Sequence, residues 1–246
     1  MTDQRNGTAI VTGASKGLGA AIAERLARDG FAVAVNYSSG ADTAREVVER
    51  ITASGGRALA VQADVSNAAA ITSLFDRTAE ALGECSVLVN NAGFMHLAPI
   101  AELEDADLDR LLAVNVKGVF NGMREAAKRL PDGGRIISLS SSANGAYLPG
   151  YGGYVATKAA VEGLSHVLAK ELGARRISVN VVAPGPTATD LFFQGKTDEQ
   201  VKAISRMIPF GRIGEPKDIA DIVSFLAGPD GGWVNGQVLR ANGGMI

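Results

Sequence analysis

Short apolar runs rich in β-branched residues alternate with longer segments of helical pattern along almost the whole chain. Seven runs predict strands, at Thr8–Thr12, Ala32–Asn36, Ala58–Gln62, Val87–Asn90, Arg135–Ser140, Ser178–Val182 and Gln237–Arg240. The segments between them predict helices, at Gly17–Asp29, Asp42–Ala53, Ala68–Leu82, Asp107–Leu130, Tyr154–Leu172 and Pro216–Leu226. Strands that alternate with helices are typical of a parallel sheet covered on both faces. The pattern therefore predicts an α/β fold, with one doubly wound, seven-stranded parallel sheet.

One stretch interrupts this alternation and is rich in glycine and proline. It runs from Pro184 to Gly214 around a short helical pattern at Asp198–Met207. A long insertion in a compact domain is usually functional, so we expect a substrate lid at about 186–214, with its covering part at Asp190–Met207. Because the chain shows no linker and no internal repeat, we expect a single domain over residues 1–246.

Composition and charge exclude several classes of protein. Hydrophobic residues make up 46% of the chain and charged residues 20%, with a formal net charge of -2, so we expect no general attraction to nucleic acid or anionic membranes. No apolar run approaches ~18 residues, and Met1–Gln4 begins no apolar signal region, so we expect a cytoplasmic protein. A single cysteine and two histidines predict neither an internal disulfide nor a metal site.

A glycine-rich turn follows the first predicted strand and opens the first predicted helix. Its sequence is Thr12-Gly13-Ala14-Ser15-Lys16-Gly17-Leu18-Gly19. Glycines let the backbone approach phosphates, and a helix N-terminus offers free N–H groups and the positive end of a dipole. At this place in a doubly wound sheet, the turn predicts a dinucleotide site.

The end of the second predicted strand bears on the choice of cofactor. An NAD site usually has an acid there that binds the ribose hydroxyls, whereas this chain reads Asn36-Tyr37-Ser38-Ser39 and has its first acid at Asp42. No carboxylate would then repel a 2′-phosphate. Lys16 would attract that phosphate, and the two serines would donate hydrogen bonds to it. We therefore expect NADP(H) rather than NAD(H).

A tyrosine and a lysine lie four residues apart on the fifth predicted helix. Tyr154 and Lys158 share one helix face, and a nearby ammonium favours the phenolate, so Lys158 is expected to lower the pKa of Tyr154. Ser141 follows the fifth predicted strand, at the edge of the sheet where ligands bind in such folds. Ser140 and Ser142 remain alternatives to Ser141. The Tyr-x-x-x-Lys spacing also arises by chance, so each signal is weak alone.

In combination these motifs resemble those of the classical short-chain dehydrogenase/reductase (SDR) family, and they are similar to bacterial 3-oxoacyl carrier-protein reductase-like carbonyl reductases. The resemblance covers residues 8–244 in order and implies the Rossmann form of the predicted fold. Its motifs are the glycine turn, Asp64-Val65, Asn90-Asn91-Ala92-Gly93, Asn115, Ser141, Tyr154, Lys158, Pro184-Gly185, Thr189-Asp190 and Asn242-Gly243-Gly244.

The resemblance implies a role for each member of a catalytic tetrad. Tyr154 would be the acid in reduction and the base in oxidation, and Lys158 would lower its pKa and hold the nicotinamide ribose. Ser141 would polarise the carbonyl, and Asn115 would fix a water that links Lys158 to solvent. The family also implies a homotetramer. The residues expected at the cofactor are Gly13, Ser15, Lys16, Gly17, Leu18, Gly19, Asn36, Tyr37, Ser38, Ser39, Asp64, Val65, Asn91, Ala92, Gly93, Tyr154, Lys158, Pro184, Gly185, Thr187 and Thr189.

The lid is apolar, with Leu191, Phe192 and Phe193 near its start, and it favours a hydrophobic ketone as substrate. The expected activity is that of an NADP(H)-dependent carbonyl reductase. A 3-oxoacyl carrier-protein reductase and a sugar or polyol dehydrogenase remain alternatives. A non-enzymatic alternative is a regulator that binds NADP(H) and has lost catalysis, which the presence of all four tetrad residues argues against.

Overall fold

A computed structural model describes residues 7–246. Met1–Gln4, where we expect no signal region, lies outside the described residues. Within them, the parallel strands form one seven-stranded sheet in the order β3-β2-β1-β4-β5-β6-β7. The strands are β1 (Thr8–Val11), β2 (Ala32–Tyr37), β3 (Arg57–Gln62), β4 (Cys85–Asn90), β5 (Arg135–Leu139), β6 (Ser178–Pro184) and β7 (Val238–Ala241). The predicted seven-stranded parallel sheet is confirmed.

Helices cover both faces of the sheet, as predicted. The α-helices are α1 (Gly17–Arg28), α2 (Ala41–Ala53), α3 (Ala68–Leu82), α4 (Asp105–Leu111), α5 (Gly118–Arg129), α6 (Ala143–Ala146), α7 (Gly152–Glu171), α8 (Asp190–Phe193), α9 (Asp198–Met207) and α10 (Pro216–Ala227). Helices α1, α2 and α10 pack on one face, and α3, α5 and α7 pack on the other. None of these described helices has both the length and the apolar character needed to cross a membrane.

Strand β1 shows why the strands are apolar along their whole length. All four of its residues are buried, with Ala9 and Val11 in the core under α1 and Ile10 in the core under α5. Successive side chains of a strand point to opposite faces, so a sheet covered twice needs an apolar residue at every position. Full burial of a side chain such as Ile10 is worth about 1.5–3 kcal/mol.

The prediction of one continuous α-helix over Asp107–Leu130 was wrong in its middle. Helix α4 ends at Leu111, a wide π-helical turn occupies Leu112–Lys117, and α5 begins at Gly118. Asn115 lies in this turn and is fully buried. Its side chain binds the backbone of a loop distant in sequence, a tertiary contact that the spacing of apolar residues does not encode. Turns of this kind often occur at functional sites.

The order of the strands fixes where a ligand can bind. The order in which strands are added changes direction between β1 and β4, which are neighbours. Strands β1 to β3 extend toward one edge of the sheet, and β4 to β7 extend toward the other. In open α/β sheets, ligands bind in the crevice beyond the carboxyl ends of the strands at such a point. The glycine turn follows β1, Asn90 ends β4, and Ser141 follows β5, so the predicted site residues meet at this edge.

Candidate active site

The glycine turn between β1 and α1 has a shape that only glycine permits. Gly13 and Gly17 have positive φ angles of 62° and 56°. A Cβ at Gly13 would lie 2.8 Å from the Ala92 Cα, and a Cβ at Gly19 would lie 2.3 Å from the Gly13 carbonyl oxygen. No side chain caps the N-terminus of α1. The narrow turn and the uncapped N–H groups therefore fit the pyrophosphate of a dinucleotide.

Two residues predicted at the cofactor use their side-chain amides to hold this turn. The Asn36 side chain is buried; it accepts a hydrogen bond from the Gly13 N–H at 3.2 Å and donates to the carbonyls of Val61 and Ala63. The Asn91 amide donates to the carbonyls of Thr12 and Gly13, at 2.9 and 3.0 Å. The side chains of Asn36 and Asn91 therefore shape the glycine turn, and their amide N–H groups are already hydrogen-bonded within the protein.

The polar residues proposed for the 2′-phosphate are open to solvent. Lys16 is exposed and, among the described residues, its ammonium forms no ion pair or hydrogen bond. Ser38 and Ser39 are also exposed. Asp42, the first acid after β2, is paired with Arg45 one turn further along α2. Among residues 7–246, this end of the crevice thus offers the unpaired ammonium of Lys16 and the hydroxyls of Ser38 and Ser39 to an anion.

Two further predicted contacts follow β3. One carboxylate oxygen of Asp64 accepts hydrogen bonds from the backbone N–H and the hydroxyl of Ser66, at 2.9 and 2.8 Å. Val65 is buried, and a Cβ at Gly118 would lie 2.6 Å from its side chain. The close packing of α5 against Val65 fixes the position of this segment.

The tyrosine and lysine of α7 meet the turn after β4. Lys158 is 4% exposed; its ammonium donates to the Leu139 carbonyl at 2.8 Å and lies 5.7 Å from the centre of the Tyr154 ring. A Cβ at Gly93 would lie 3.6 Å from both the Lys158 Nζ and the Asn115 Oδ1. These four predicted residues therefore lie together in the structure.

Of the three neighbouring serines, Ser141 is the one that faces Tyr154. It forms a hydrogen bond with the Tyr154 hydroxyl, and its Oγ accepts another from the Ala143 N–H at 3.1 Å. The two alternatives are buried and committed elsewhere: Ser140 donates to Glu162, and Ser142 donates to the Ala183 carbonyl.

Burial dominates the protonation of this site. It raises the pKa of Tyr154 to about 12, against the hydrogen bond from Ser141, which lowers it. It also lowers the pKa of Lys158 to about 8. Lys158 was expected to lower the pKa of Tyr154, but it is not among the causes of the shift, and in this structure desolvation outweighs any such effect. The Tyr154 phenol therefore keeps its proton at neutral pH.

Asn115 connects the tetrad to the loop after β4. Its Oδ1 accepts from the Phe94 N–H at 2.7 Å, and its Nδ2 donates to the Phe94 carbonyl at 2.8 Å and to the Thr157 hydroxyl at 3.1 Å. The side chain thus ties the Phe94 loop to α7, next to Lys158. This anchoring contact was not anticipated for Asn115.

The segment after β6 closes the other side of the crevice. A Cβ at Gly17 would lie 3.7 Å from the Thr189 side chain, so the glycine turn and Thr189 face each other. The Thr189 hydroxyl caps α8 by accepting from the Phe192 N–H, and the Thr187 hydroxyl donates to the Gly185 carbonyl. Pro184 ends β6 directly before this segment.

Two contacts hold the loop after β4 against α4. The Arg110 guanidinium lies 4.1 Å above the Phe94 ring, and the His96 Nε2 lies 3.4 Å from an Asp107 carboxylate oxygen. Sequence reasoning missed Glu162, one turn after Lys158 on α7; the four-residue spacing was the available signal. In the described part of the chain, no cluster of His, Cys, Asp and Glu could hold a metal ion.

Comparison with known proteins agrees with this geometry. A family model described as enoyl-(acyl carrier protein) reductase matches residues 13–246. An NADPH-dependent aldehyde reductase-like chloroplastic protein of Arabidopsis thaliana is 46% identical, over 97% of this chain and 93% of that protein. The similarity thus extends over nearly the whole length of both chains.

Solved structures are also similar over nearly the whole chain. A short-chain dehydrogenase of Burkholderia cenocepacia in complex with NADP is 39% identical, with a TM-score of 0.93 and 99% of both chains covered. The angucycline C-6 ketoreductase LanV with bound NADP is 40% identical, with a TM-score of 0.92, over 99% of this chain and 96% of that one. The glycine turn, the Ser141–Tyr154–Lys158 group and these matches lead to one conclusion: the chain belongs to the short-chain dehydrogenase/reductase family.

Proposed function

We propose that this protein is an NADP(H)-dependent carbonyl reductase that interconverts a ketone and a secondary alcohol. The observation that carries the proposal is the Tyr154 phenol, which is partly buried, protonated at neutral pH and hydrogen-bonded to Ser141 at the end of the dinucleotide crevice. A phenol with a raised pKa is a proton donor for a developing alkoxide. The relatives with bound NADP, and those named aldehyde reductase and ketoreductase, support the same assignment.

Each residue of the site has one task in this reaction. NADPH bound in the crevice beside the glycine turn would supply the hydride for the carbonyl carbon. The Ser141 hydroxyl donates a hydrogen bond to the carbonyl oxygen, with its Oγ held by the Ala143 N–H. The Tyr154 hydroxyl donates the proton to the same oxygen, and the Lys158 ammonium lies 5.7 Å from the centre of the ring that becomes the phenolate. Positioned acid catalysis of this kind contributes roughly 10²–10⁴-fold to the rate.

The preference for NADP(H) over NAD(H) rests on Lys16. It is exposed at the start of α1 without a partner among the described residues, and the nearby Asp42 is already paired with Arg45. A 2′-phosphate would bind this free ammonium with charge-assisted hydrogen bonds. Ser38 and Ser39 add two hydroxyls to the same anion site.

The surface around the site favours an apolar substrate under a lid at about 186–214. Several large apolar side chains are exposed there, on the loop after β4, the turn after α6 and the lid: Leu97, Ile100, Tyr147, Leu148, Leu191, Phe193 and Met207. Exposed apolar side chains concentrated in one area often mark a binding site. Substrate would cover them beside Ser141.

Arg129 and Arg175, two basic residues that an acidic carrier protein would contact, already bind groups of this chain. Arg129 pairs with Asp76 and Glu125, and Arg175 donates to the carbonyls of Ala127 and Leu130. This supports a small ketone rather than an acyl group on an acidic carrier protein.

A homotetramer is part of the proposal. Large apolar side chains are exposed on the two long helical segments and before β7, among them Phe120, Val167 and Trp233. Sedimentation should give the mass of four chains, and a monomeric mass at micromolar concentration would contradict it.

Initial rates of NADPH and NADH oxidation with a panel of aryl ketones, β-ketoesters, acyl-thioesters and sugars test the function. We expect turnover with NADPH and the apolar ketones. Lys16→Ala should raise the KM for NADPH at least tenfold and change the KM for NADH less than about twofold, because one charged contact to phosphate is lost. Tight NADPH binding without turnover of any substrate would support the regulator instead.

A further inference from the structure

The turn that carries Ser141 is held on both sides of that residue by one carboxylate. Glu162 Oε1 accepts a hydrogen bond from the Ser140 hydroxyl at 2.6 Å and another from the Asn144 amide at 2.9 Å. Ser140 directly precedes Ser141, and Asn144 follows it by three residues. Glu162 lies on α7, the helix that carries Tyr154 and Lys158. The carboxylate therefore connects the Ser141 turn to the helix that bears its catalytic partners.

The orientation of the Asn144 amide depends on Glu162. The amide nitrogen donates to the carboxylate, and as a result the Asn144 Oδ1 is buried and has no hydrogen-bond partner among the described residues. Rotating the amide by half a turn would place this oxygen against the carboxylate and against the Ser140 hydroxyl oxygen. A buried acceptor without a partner is costly and rare in folded proteins. The charge-assisted bonds to Glu162 are strong enough to keep the amide in this orientation.

The other side of the turn is anchored to the sheet. The Ser142 N–H donates to the Pro184 carbonyl, and its hydroxyl donates to the Ala183 carbonyl. The Asn242 amide donates to the Ser142 hydroxyl oxygen at 3.1 Å. Ser141 thus lies between an anchor on β6 and an anchor on α7, and only the second sets its position relative to Tyr154.

We propose that Glu162 is a positioning residue for the reaction, which fixes the Ser141 hydroxyl against Tyr154 by holding Ser140 and Asn144. This inference rests on the proposed carbonyl reductase function. It assigns Glu162 no contact with substrate or cofactor. A misplacement of about 1 Å at a reacting group can cost on the order of 10²-fold in rate, so the loss of this anchor is expected to reduce kcat.

The variants separate the role of Glu162 from general stability. Glu162→Ala removes both hydrogen bonds. Glu162→Gln keeps an Oε1 that can accept both of them and should rescue the enzyme. Glu171→Ala is a matched control, since Glu171 is an exposed glutamate of the same helix with no ion pair or side-chain hydrogen bond among the described residues.

Two readouts are needed. We expect Glu162→Ala to lower kcat for ketone reduction roughly ten- to hundredfold with the Kd for NADPH unchanged within about twofold, whereas Glu162→Gln and Glu171→Ala stay within about threefold of wild type. When Ser141→Ala is already present, adding Glu162→Ala should lower kcat by less than a further factor of about three, because Glu162 acts through the Ser141 hydroxyl. Hydrogen exchange of residues 140–147 should accelerate in Glu162→Ala only.

The outcomes distinguish the inference from the function on which it rests. Unchanged exchange in residues 140–147, or a full additional loss in the Ser141→Ala background, overturns the role of Glu162 even if the wild-type enzyme is active. Faster exchange with unchanged kcat also overturns it. A wild-type enzyme without turnover overturns the proposed function, and the exchange measurement still decides whether Glu162 holds the turn.

Discussion

At the scale of single residues, the site is governed by two ionisable groups that burial shifts in opposite directions. Desolvation raises the pKa of Tyr154 to about 12 and lowers the pKa of Lys158 to about 8. Both shifts favour the uncharged form, because a charged group loses its hydration inside the protein. The desolvation that keeps Tyr154 protonated therefore also makes the charged form of Lys158 costly to bury.

This cost predicts a pH dependence of stability in the ligand-free protein. Between about pH 8 and its ordinary pKa of 10.5, Lys158 is neutral in the folded state and protonated in the unfolded state. The unfolded state then binds more protons, so the free energy of unfolding rises with pH in this window. The shift corresponds to roughly 3 kcal/mol in total.

Urea unfolding of wild type and Lys158→Met between pH 7 and pH 10, at one protein concentration, measures this effect. Relative to that of Lys158→Met, the free energy of unfolding of the wild type should rise by about 2 kcal/mol or more above pH 8. Cys85, whose pKa burial raises to about 12, is present in both proteins and cancels. Two parallel curves would show that Lys158 titrates normally.

At the scale of elements, the glycine turn depends on a contact between two parts of the sheet. Its shape is set by β1 and by the loop after β4, since a Cβ at Gly19 would lie 2.3 Å from the Gly13 carbonyl oxygen and 2.5 Å from the Asn91 amide nitrogen. The first atom belongs to the backbone, and the second is held by its hydrogen bonds to the carbonyls of Thr12 and Gly13, so neither can move away freely. The turn and the Asn91 loop therefore act as one unit.

Gly19→Ala is expected to distort this unit. The substitution should lower the free energy of unfolding by about 1–3 kcal/mol and weaken NADPH binding at least tenfold, as overpacking forces the backbone apart. Calorimetry and fluorescence titration with NADPH measure both effects. The control is Gly173→Ala, where an added Cβ meets nothing within 4 Å and the change should stay within about 0.5 kcal/mol. A Gly19→Ala protein that binds NADPH normally would contradict this account of the turn.

Local sequence predicted these elements well but could not predict contacts between them. The helical pattern of Asp198–Met207 coincides with α9, because an amphipathic spacing is a local property. The π-helical turn at Asn115 was missed, because it depends on the backbone of Phe94. For the same reason, sequence could not show that the side chain of Asn36, which is expected at the cofactor, also braces Gly13 and β3.

At the scale of the whole molecule, strand order places all four tetrad residues at one edge of the sheet. The seven parallel strands were predictable from the alternation of apolar runs and helical segments, since the inner strands such as β1 are buried on both faces. Substrate identity was not predictable to the same degree. It depends on the side-chain contacts of the segment proposed as a lid, at about 186–214, and such tertiary contacts are not encoded in sequence periodicity.

The most direct measurement of the central claim is the rate of ketone reduction by Tyr154→Phe beside its affinity for NADPH. The substitution removes only the hydroxyl that donates the proton and leaves the ring in place. We expect kcat to fall at least 10³-fold while the Kd for NADPH changes less than about threefold, because positioned acid catalysis is lost and the crevice is intact. A Phe variant that reduces ketones at a tenth of the wild-type rate would contradict the assignment of Tyr154 as the acid.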